Sequence, residues 1–536
     1  DWVNWSGAPY AFVVPADQRD PLATYELLDI LHTGAVEIER AASPFQAGGK
    51  SYAAGSYVIR LAQPYGAFAK TMLEKQVYPD LRLFPGGPPK PPYDVTAHTL
   101  GYLMGVAVDP IAEPFHASLE RVTNLERDQS PLPASPRWAY VFGPESNAGF
   151  VAAARLQKAA IPLFRTASET ALNGRTLAAG SWVTPASDAA RTILEAVARE
   201  TGLEVIGADD PLSVAGFRLK SPTRIGLWRG ADNMPGGWLQ WTFEQYGVSH
   251  ETLSLTDFAG DLADRYDTIV LPSGISRETI VDGLDPATHD KTWEWAYGVG
   301  EDGWKKLAQW VRDGGTLVAT GSSVETARAL LDLPIENVLP ESSRRRRGGP
   351  GEEEAPGKPA TTEETNQVLR ETFSSPARLA TTLRERVIEP EAQFYCPGSL
   401  LQNDFDVDHP IGFGMPPSWP VFFESDQAYR LTPSFDVRPE VVARYPAKGP
   451  ILQSGWLLGE DLLRDQANVV AFRVGRGYVV TLGTQVHFRA QTRATYKLLF
   501  NALFHGPSTP VTAAELGKLQ SGAADPSQAA DSRNQR

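Results

Sequence analysis

The sequence contains very little cysteine, since Cys396 is the single one among 536 residues. One cysteine cannot form an intrachain disulfide, and it cannot supply the several thiolates of a structural zinc site. Cys396 also lies far from the turn at residues 320–323, the position at which a cysteine nucleophile would be expected in this chain. Disulfide scaffolds and multi-cysteine zinc cages are therefore excluded.

The eight histidines lack the spacing of a metallopeptidase. None is followed by glutamate three residues later, as H-x-x-E requires, and H-E-x-x-H is absent. A peptidase zinc ion needs three protein ligands and one position open to water. Asp404, Asp406 and Asp408 alternate, but the glycine and closing glutamate of an EF-hand loop are missing, so a strand edge is favoured. The sequence predicts no metal site.

Long apolar runs, a basic charge excess and a P-loop are also lacking. No run approaches the roughly 20 apolar residues that span a bilayer. The 50 basic and 64 acidic residues leave a net charge of −14, which disfavours nucleic acid and anionic membranes as partners. The length is sufficient for about three domains. We therefore expect a globular protein with no membrane span and no nucleic-acid partner.

Residues 224–321 show an ordered alternation of strands and helices. The apolar segments 224–228, 267–272 and 316–320 predict buried strands, and 237–246 and 304–312 predict helices. Such alternation is typical of an α/β domain with a parallel sheet. Ligands of these sheets bind at the carboxyl ends of the strands. The loops that follow these strands are therefore the candidate site.

The turn Thr320-Gly321-Ser322-Ser323 joins the last of these strands to a new helix. The pattern resembles the glutamine-amidotransferase-like fold, a flavodoxin-like fold whose enzymes carry a cysteine nucleophile on this turn. The resemblance implies the fold but argues against amidotransferase chemistry, because no cysteine is present there. A hydrolase that uses Ser322 or Ser323 remains an alternative, although a serine needs a base and no G-x-S-x-G elbow occurs.

The first part of the chain contains an internal repeat. Its first copy has a strand at 10–14, a helix at 23–31, a strand at 36–40, a hairpin that turns at Gly48-Gly49 and returns along 55–59, and a helix at 67–75. The same order recurs, with matching segments at 138–142, 152–158, 161–165, 174–175 and 180–184. Two copies of one α/β unit are predicted to pack as a pseudo-symmetric pair.

These patterns divide the chain into six parts. They are a first repeat unit at 1–125, a second at 126–221, the first part of the amidotransferase-like domain at 222–340, a disordered insertion at 341–377, the completion of that domain at 378–506, and a disordered tail at 507–536. The insertion has four arginines beside a glutamate cluster and almost no apolar residues, which is typical of a solvated linker.

Polar residues at the predicted strand ends are the binding candidates. Arg229, Asp232 and Asn233 follow the first strand of the α/β domain. Gln485, His487 and Arg489 precede the last helix, and His487 with Arg489 could bind a carboxylate. The alternative is that these groups satisfy helix-end and interdomain hydrogen bonds. With Ser322 and Ser323 they complete the candidate set, in which no catalytic residue is assigned.

Several stretches resemble the region that follows the catalytic domain in large bacterial secreted zinc carboxypeptidase-like proteins. They are YAFVVPADQRD at 10–20, AQPY at 62–65, PGGPP at 85–89, PYDV at 92–95, Gly237-Trp238, EQYG at 244–247, FRAQT at 488–492 and KLLFN at 497–501. The resemblance implies that zinc, a catalytic glutamate and substrate-binding arginines belong to an upstream peptidase domain. No residue here matches those motifs, so this chain is expected to hold no cofactor.

The resemblance further implies a secreted or periplasmic protein in which Asp1 falls just after the peptidase domain. The expected function is that of a non-catalytic accessory region, in substrate presentation, domain packing or assembly. Its partners would be its own upstream peptidase domain and a peptide substrate. The alternatives are a freestanding extracellular peptide- or glycan-binding protein with a cleft between the duplicated units and, less favoured, the serine hydrolase.

Overall fold

A computed structural model describes residues 2–83, 89–127, 130–340, 375, 394–424 and 426–518. It shows a mixed α/β protein with several sheets, as predicted. Within these ranges no helix is long and apolar enough to cross a membrane. Apart from Ser375, the predicted disordered insertion at 341–377 lies outside the described residues.

The first unit, residues 11–121, is a five-stranded sheet covered by helices. Its elements are β1 (Ala11–Val14), α1 (Pro21–Thr33), β2 (Glu39–Ala41), β3 (Phe45–Ala47), β4 (Lys50–Tyr52), β5 (Tyr57–Arg60), α2 (Gly66–Leu73), α3 (Leu100–Met104), β6 (Asp109–Ile111) and β7 (Leu119–Arg121). The strand order is β6-β1-β5-β2-β7, and all neighbours are antiparallel. β3 and β4 form a separate hairpin.

The second unit, residues 139–218, has a corresponding order of elements. They are β8 (Ala139–Phe142), α4 (Ala148–Lys158), β9 (Phe164–Thr166), β10 (Thr170–Leu172), β11 (Arg175–Leu177), β12 (Trp182–Pro185), α5 (Asp188–Thr201), β13 (Ile206–Ala208) and β14 (Gly216–Arg218). The strand order begins β13-β8-β12-β9-β14, again antiparallel, and β10 and β11 form the separate hairpin.

The third region begins with a parallel α/β segment. Its elements are β15 (Ile225–Leu227), α6 (Met234–Tyr246), β16 (Glu251–Thr252), α7 (Leu262–Arg265), β17 (Thr268–Leu271), α8 (Arg277–Val281), α9 (Gly300–Arg312), β18 (Thr316–Thr320), α10 (Ser323–Leu331) and β19 (Ile335–Asn337). The elements after 393 are β20 (Pro397–Phe405), β21 (Ser418–Glu424), β22 (Tyr429–Leu431), β23 (Arg438–Arg444), β24 (Leu452–Ser454), β25 (Ala467–Val474), β26 (Gly477–Leu482), α11 (Tyr496–His505), β27 (Thr509–Val511) and α12 (Ala513–Gly517).

The large sheet is mixed, which corrects the expectation of a parallel one. β16, β15, β17, β18 and β26 are parallel neighbours, in that order. β25, β23, β20 and β21 then continue the same sheet with antiparallel pairing. The direction reverses because Gly475 and Arg476 form a tight turn between β25 and β26, and a two-residue turn can join only antiparallel strands.

The hairpin in each unit is shorter than predicted. Gly48 and Gly49 do form its turn, but the returning arm is β4 and not residues 55–59. Residues of that segment belong instead to β5, which lies between β1 and β2 in the main sheet. The chain leaves the hairpin through Gly55, whose φ of +89° favours glycine. Local alternation cannot distinguish a hairpin arm from a strand that pairs at long range.

The predicted disordered tail is partly structured. β27 pairs antiparallel with β14 as the sixth strand of the second unit's sheet. Thr512 and Glu515 then form a capping box that begins α12, and Leu516 is buried. Residues 519–536 lie outside the described residues. The polar composition of this segment does not predict a strand, because β27 is stabilised by pairing with β14, which is distant in the sequence.

A buried polar junction joins the two units to α11. Asp20, which precedes α1, accepts hydrogen bonds from Ala23 N at 3.3 Å, Ser146 Oγ at 2.8 Å and Asn147 N at 2.8 Å. Lys497 Nζ lies 3.5 Å from Asp20 Oδ2. Because Asn147 is the residue that precedes α4, one carboxylate binds amides at the beginnings of both equivalent helices.

Candidate functional site

The carboxyl ends of the parallel strands bring several predicted site residues together. Asn233, after β15, donates from Nδ2 to Ser273 O at 2.9 Å, and its Oδ1 accepts from Gly236 N. Ser273, after β17, lies 3.1 Å from Ser322 by their hydroxyl oxygens. Gly321 N, after β18, donates to Leu482 O at 2.8 Å. The loops therefore meet at one edge of the sheet, as predicted for the strand ends.

Arg229 and Asp232 lie at the outer side of this edge. The Arg229 guanidinium is 5.3 Å from the centre of the Trp295 ring, a cation–π distance. Asp232 is exposed and has a φ of +51°. Asn233 begins α6 as its N-cap. Asn233 is thus held by the fold, whereas Arg229 and Asp232 remain toward solvent on the same loop.

The glycine of the turn after β18 has no room for a side chain. The residue with positive φ is Gly321, at +52°, and a Cβ built there would lie 2.6 Å from Ser273 Oγ. Ser322 Oγ instead accepts from Gly274 N at 2.9 Å. Ser323 Oγ is fully buried, accepts from Ile275 N at 2.8 Å and donates to Pro272 O at 2.5 Å. Both hydroxyls bind neighbouring loop atoms.

We expect Ser323→Ala to lower the free energy of unfolding by about 1–3 kcal/mol, because the Ile275 N–H and the Pro272 carbonyl lose their shorter hydrogen bonds to Ser323 and keep only the 3.4 Å contact with each other. Ser322→Ala should cost less, since Ser322 is partly exposed and water can replace its hydroxyl. Urea unfolding of both variants tests this order. Equal losses of stability in the two variants would contradict this order. If the wild-type chain hydrolyses a substrate and either variant loses that activity, the result would favour the serine hydrolase.

His487 is a buried, neutral imidazole at the same edge. Its Nε2 lies 3.2 Å from Pro235 O, so this nitrogen carries the proton. Burial lowers the pKa of His487 to about 4, and the hydrogen bond to Pro235 only partly opposes this shift. Its Nδ1 is buried and has no hydrogen-bond partner among the described residues. Gln485, also buried, reaches Asp426 Oδ2 through its backbone N–H at 3.4 Å.

Arg489 forms an ion pair with a carboxylate of the first unit. Its two terminal nitrogens each lie 2.8 Å from a carboxylate oxygen of Asp94, which belongs to the first unit. Arg489 and Ala490 have positive φ values within a short 3₁₀ turn, so the alternation read from the sequence does not place both side chains on one face. Arg489 does bind a carboxylate, but that carboxylate is part of this chain.

A cleft between the two units lies apart from the strand-end residues. It has a volume of about 630 Å³ and is bordered by both units. The first unit contributes Arg19, Arg40 and Gly55, and the second contributes Ser146, Arg175 and Glu204. These side chains were absent from the predicted set because they become neighbours only when the units pack together. The repeat was the one signal in the sequence that pointed to this place.

The described residues contain no group of three or more histidine, cysteine, aspartate or glutamate side chains arranged to hold a metal ion. No protein-family model matches the chain, and no curated protein matches it.

Solved structures show weak similarity to parts of the chain. A cytoplasmic protein from Salmonella typhimurium is 12% identical over 52% of this chain and 97% of its own, with a TM-score of 0.28. A ThuA-like protein from Bacteroides uniformis is 12% identical over 52% of this chain and 89% of its own, with a TM-score of 0.24. A beta-galactosidase from Bacillus circulans sp. alkalophilus is 11% identical over 58% of this chain and 34% of its own, with a TM-score of 0.23. These scores carry no argument about function.

Proposed function

We propose that this chain is a non-catalytic binding region that presents a peptide ligand in the cleft between two copies of one α/β unit. The cleft of about 630 Å³ is the observation that carries the proposal. Concave sites of this size at the interface between two units are typical of small-ligand and peptide binding. Its lining includes arginine, glutamate and serine side chains, which can fix the orientation of a polar backbone.

The pairing registers of the two units support the duplication. In the first unit Arg40 lies opposite Tyr57. In the second unit Arg165 lies opposite Trp182. The other strand pairs correspond in the same way. The pairing of β1 with β5 matches that of β8 with β12, and the pairing of β2 with β7 matches that of β9 with β14. A one-residue slip would exchange the buried and exposed faces, so the shared register favours copies of one ancestral unit.

The strand order of the large sheet supports an amidotransferase-like third domain. β16, β15, β17 and β18 are parallel, with β26 as the next neighbour. The resemblance to the amidotransferase-like fold implies that the turn after β18 corresponds to the family's nucleophile position, where Gly321 has no side chain and its surroundings leave no room for one. We infer that this turn has a structural role, with Ser322 and Ser323 bracing the preceding loop.

The resemblance to the region behind the peptidase domain of secreted zinc carboxypeptidase-like proteins supports an accessory role. In that proposal zinc and the catalytic groups belong to an upstream domain, and the cleft holds part of the substrate. The protein would act outside the cytoplasm, in the periplasm or beyond it. A freestanding binding protein would use the same cleft, so the proposal about ligand binding does not depend on the upstream domain.

We expect the purified chain to release no C-terminal amino acids from peptides, with or without added zinc, because the activity would belong to the upstream domain. Chromatographic detection of free amino acids tests this, and zinc-dependent release would contradict the accessory role. The intact mass of the native protein from its source tests the upstream domain. A product that contains H-x-x-E before Asp1 would support the accessory region, whereas one that begins at Asp1 would support the freestanding protein.

A further inference from the structure

The two units share one tight turn in atomic detail. It comprises residues 53–56 in the first unit and 178–181 in the second. Gly55 has a φ of +89° and Gly180 a φ of +80°. Gly55 N donates to Ala41 O at 2.8 Å, and Gly180 N donates to Thr166 O at 2.9 Å. The two glycines are therefore equivalent positions, and differences between their surroundings are informative.

Each turn lies beside an arginine that stacks on an aromatic ring of the next strand. The Arg40 guanidinium is 5.5 Å from the centre of the Tyr57 ring. The Arg165 guanidinium is 3.9 Å from the centre of the Trp182 ring. Glycine, arginine and aromatic ring thus form the same arrangement in both units. We call this arrangement the glycine–arginine seat. It consists of Gly55, Arg40 and Tyr57 in the first unit and of Gly180, Arg165 and Trp182 in the second.

In the second unit, residues of the third region pack against the glycine–arginine seat. The Phe413 ring lies against Gly180, so that a Cβ added to this glycine would be 2.4 Å from the ring. The same ring is 5.3 Å from the Arg165 guanidinium. Arg165 Nη1 also donates to Asn501 Oδ1 at 2.8 Å. An aromatic side chain and an amide oxygen together bury the arginine, which is 5% exposed.

In the first unit the same face opens into the cleft. Gly55, Arg40 and Ala16 all line the cleft. The atoms nearest to a Cβ built on Gly55 are Arg40 Nη2 at 3.6 Å and Ala16 Cβ at 3.7 Å, which are ordinary contact distances. The nearest atoms beside Gly55 thus belong to Arg40 and Ala16, whereas Phe413 provides the nearest atoms beside Gly180, and Arg40 and Ala16 both border the cleft. Arg40 is exposed where Arg165 is buried.

We propose that the cleft binds a peptide segment that places an aromatic side chain against Gly55 and an oxygen acceptor on Arg40. This inference rests on the proposed function, because it names the ligand class of the same cleft. The ring would contact the glycine and the guanidinium, as Phe413 does in the second unit. Aromatic contacts with glycine backbone and with arginine combine apolar burial and cation–π attraction.

The test is calorimetric titration of the whole chain with a synthetic peptide that copies residues 409–415, His-Pro-Ile-Gly-Phe-Gly-Met. Matched peptides carry alanine or glutamate in place of the phenylalanine. We expect saturable binding of the phenylalanine peptide and binding weaker by about tenfold or more for the other two, a difference of about 1.4 kcal/mol. Arg40→Gln should weaken the phenylalanine peptide by a similar factor.

Two variants show whether binding occurs in the cleft. Ala54→Trp fills the cleft from an exposed position that lines it, so it should abolish binding while leaving the thermal unfolding midpoint near that of the wild type. Arg444→Gln removes an exposed arginine of β23, which pairs with Asp465, and should leave binding unchanged. Binding of the phenylalanine peptide that survives Ala54→Trp would place it elsewhere and overturn the inference.

The three peptides separate this inference from the proposed function. Equal binding of all three, abolished by Ala54→Trp, would retain the cleft as a peptide site and overturn the aromatic preference. Binding of none of them at millimolar concentration would overturn both. Preference for the phenylalanine peptide that depends on Arg40 would support both.

Discussion

Asp20→Ala is expected to lower the free energy of unfolding by about 3–5 kcal/mol, because it leaves a buried charge without its partner. The Asp20 carboxylate is 3% exposed and Lys497 is 5% exposed. Burial lowers the pKa of Lys497, while the charge of Asp20 opposes this shift. Without Asp20, the ammonium retains Asn147 Oδ1 at 3.2 Å. The loss also includes the cap of α1, which Asp20 provides through Ala23 N.

Urea unfolding of three variants tests this expectation. Asp94→Ala is the matched control, because its pair with Arg489 is 42% and 38% exposed and such pairs contribute about 1 kcal/mol or less. The double variant Asp20→Asn with Lys497→Met should recover much of the loss, since the uncharged pair leaves no isolated ion. A loss for Asp20→Ala that does not exceed the loss for Asp94→Ala would contradict the importance of this junction.

Stability is expected to fall between pH 7 and pH 5, because the fold holds the buried His487 and the half-buried His505 in their neutral form. Burial lowers the pKa of His487 to about 4. Burial also lowers the pKa of His505 to about 3, helped by the charges of His409 and nearby arginines. The unfolded chain binds protons on these side chains near pH 6.5, whereas the folded chain does not until lower pH. Each histidine should therefore remove about 2 kcal/mol of stability by pH 5.

The sign and the window of this effect follow from the direction of the shifts. A histidine whose folded pKa is depressed stabilises the fold fully above pH 6.5, and the contribution decreases as the pH falls toward the folded pKa. For His487 the decrease should end near pH 4, and for His505 near pH 3. Below these values no further loss arises from the two imidazoles.

Single variants separate the two contributions. His487→Gln keeps an N–H that can donate to Pro235 O but cannot titrate, and His505→Gln removes the second imidazole. We expect each variant to reduce the change in unfolding free energy between pH 7 and pH 5 by about half, measured by urea unfolding at both pH values. If neither variant altered the slope, carboxylates elsewhere would account for the acid sensitivity.

Prediction from the sequence succeeded where the pattern was local. The strand at Thr316–Thr320 lies where its apolar run predicted it, and it leads into the glycine turn and the helix that follow it. Prediction failed where a strand pairs with residues that are distant in the sequence. Residues 57–59 of the predicted hairpin arm belong to a central strand instead, and β27 pairs with β14, hundreds of residues away in the sequence.

The candidate site shows the same division. Ser322, Asn233 and His487 follow strands, so their position at one edge of the sheet follows from the α/β alternation. Their hydrogen-bond partners do not follow from it, because these are backbone atoms of other segments, such as Gly274 N in a loop and Pro235 O in the first turn of α6. Arg489 shows the limit clearly. Its positive φ redirects the side chain to Asp94 of the first unit, and no local pattern encodes this.

By itself, the sequence determined the α/β class, the alternation of elements, and the absence of cysteine from the turn after β18, because these depend on residue type and short-range periodicity. Only the tertiary structure decided where Arg40 and Arg165 lie. Each occurs in an equivalent strand beside an equivalent glycine, yet Phe413 and Asn501 bury one of them, whereas the other opens into the cleft. Burial depends on what packs against a side chain, and that neighbour comes from a distant part of the chain.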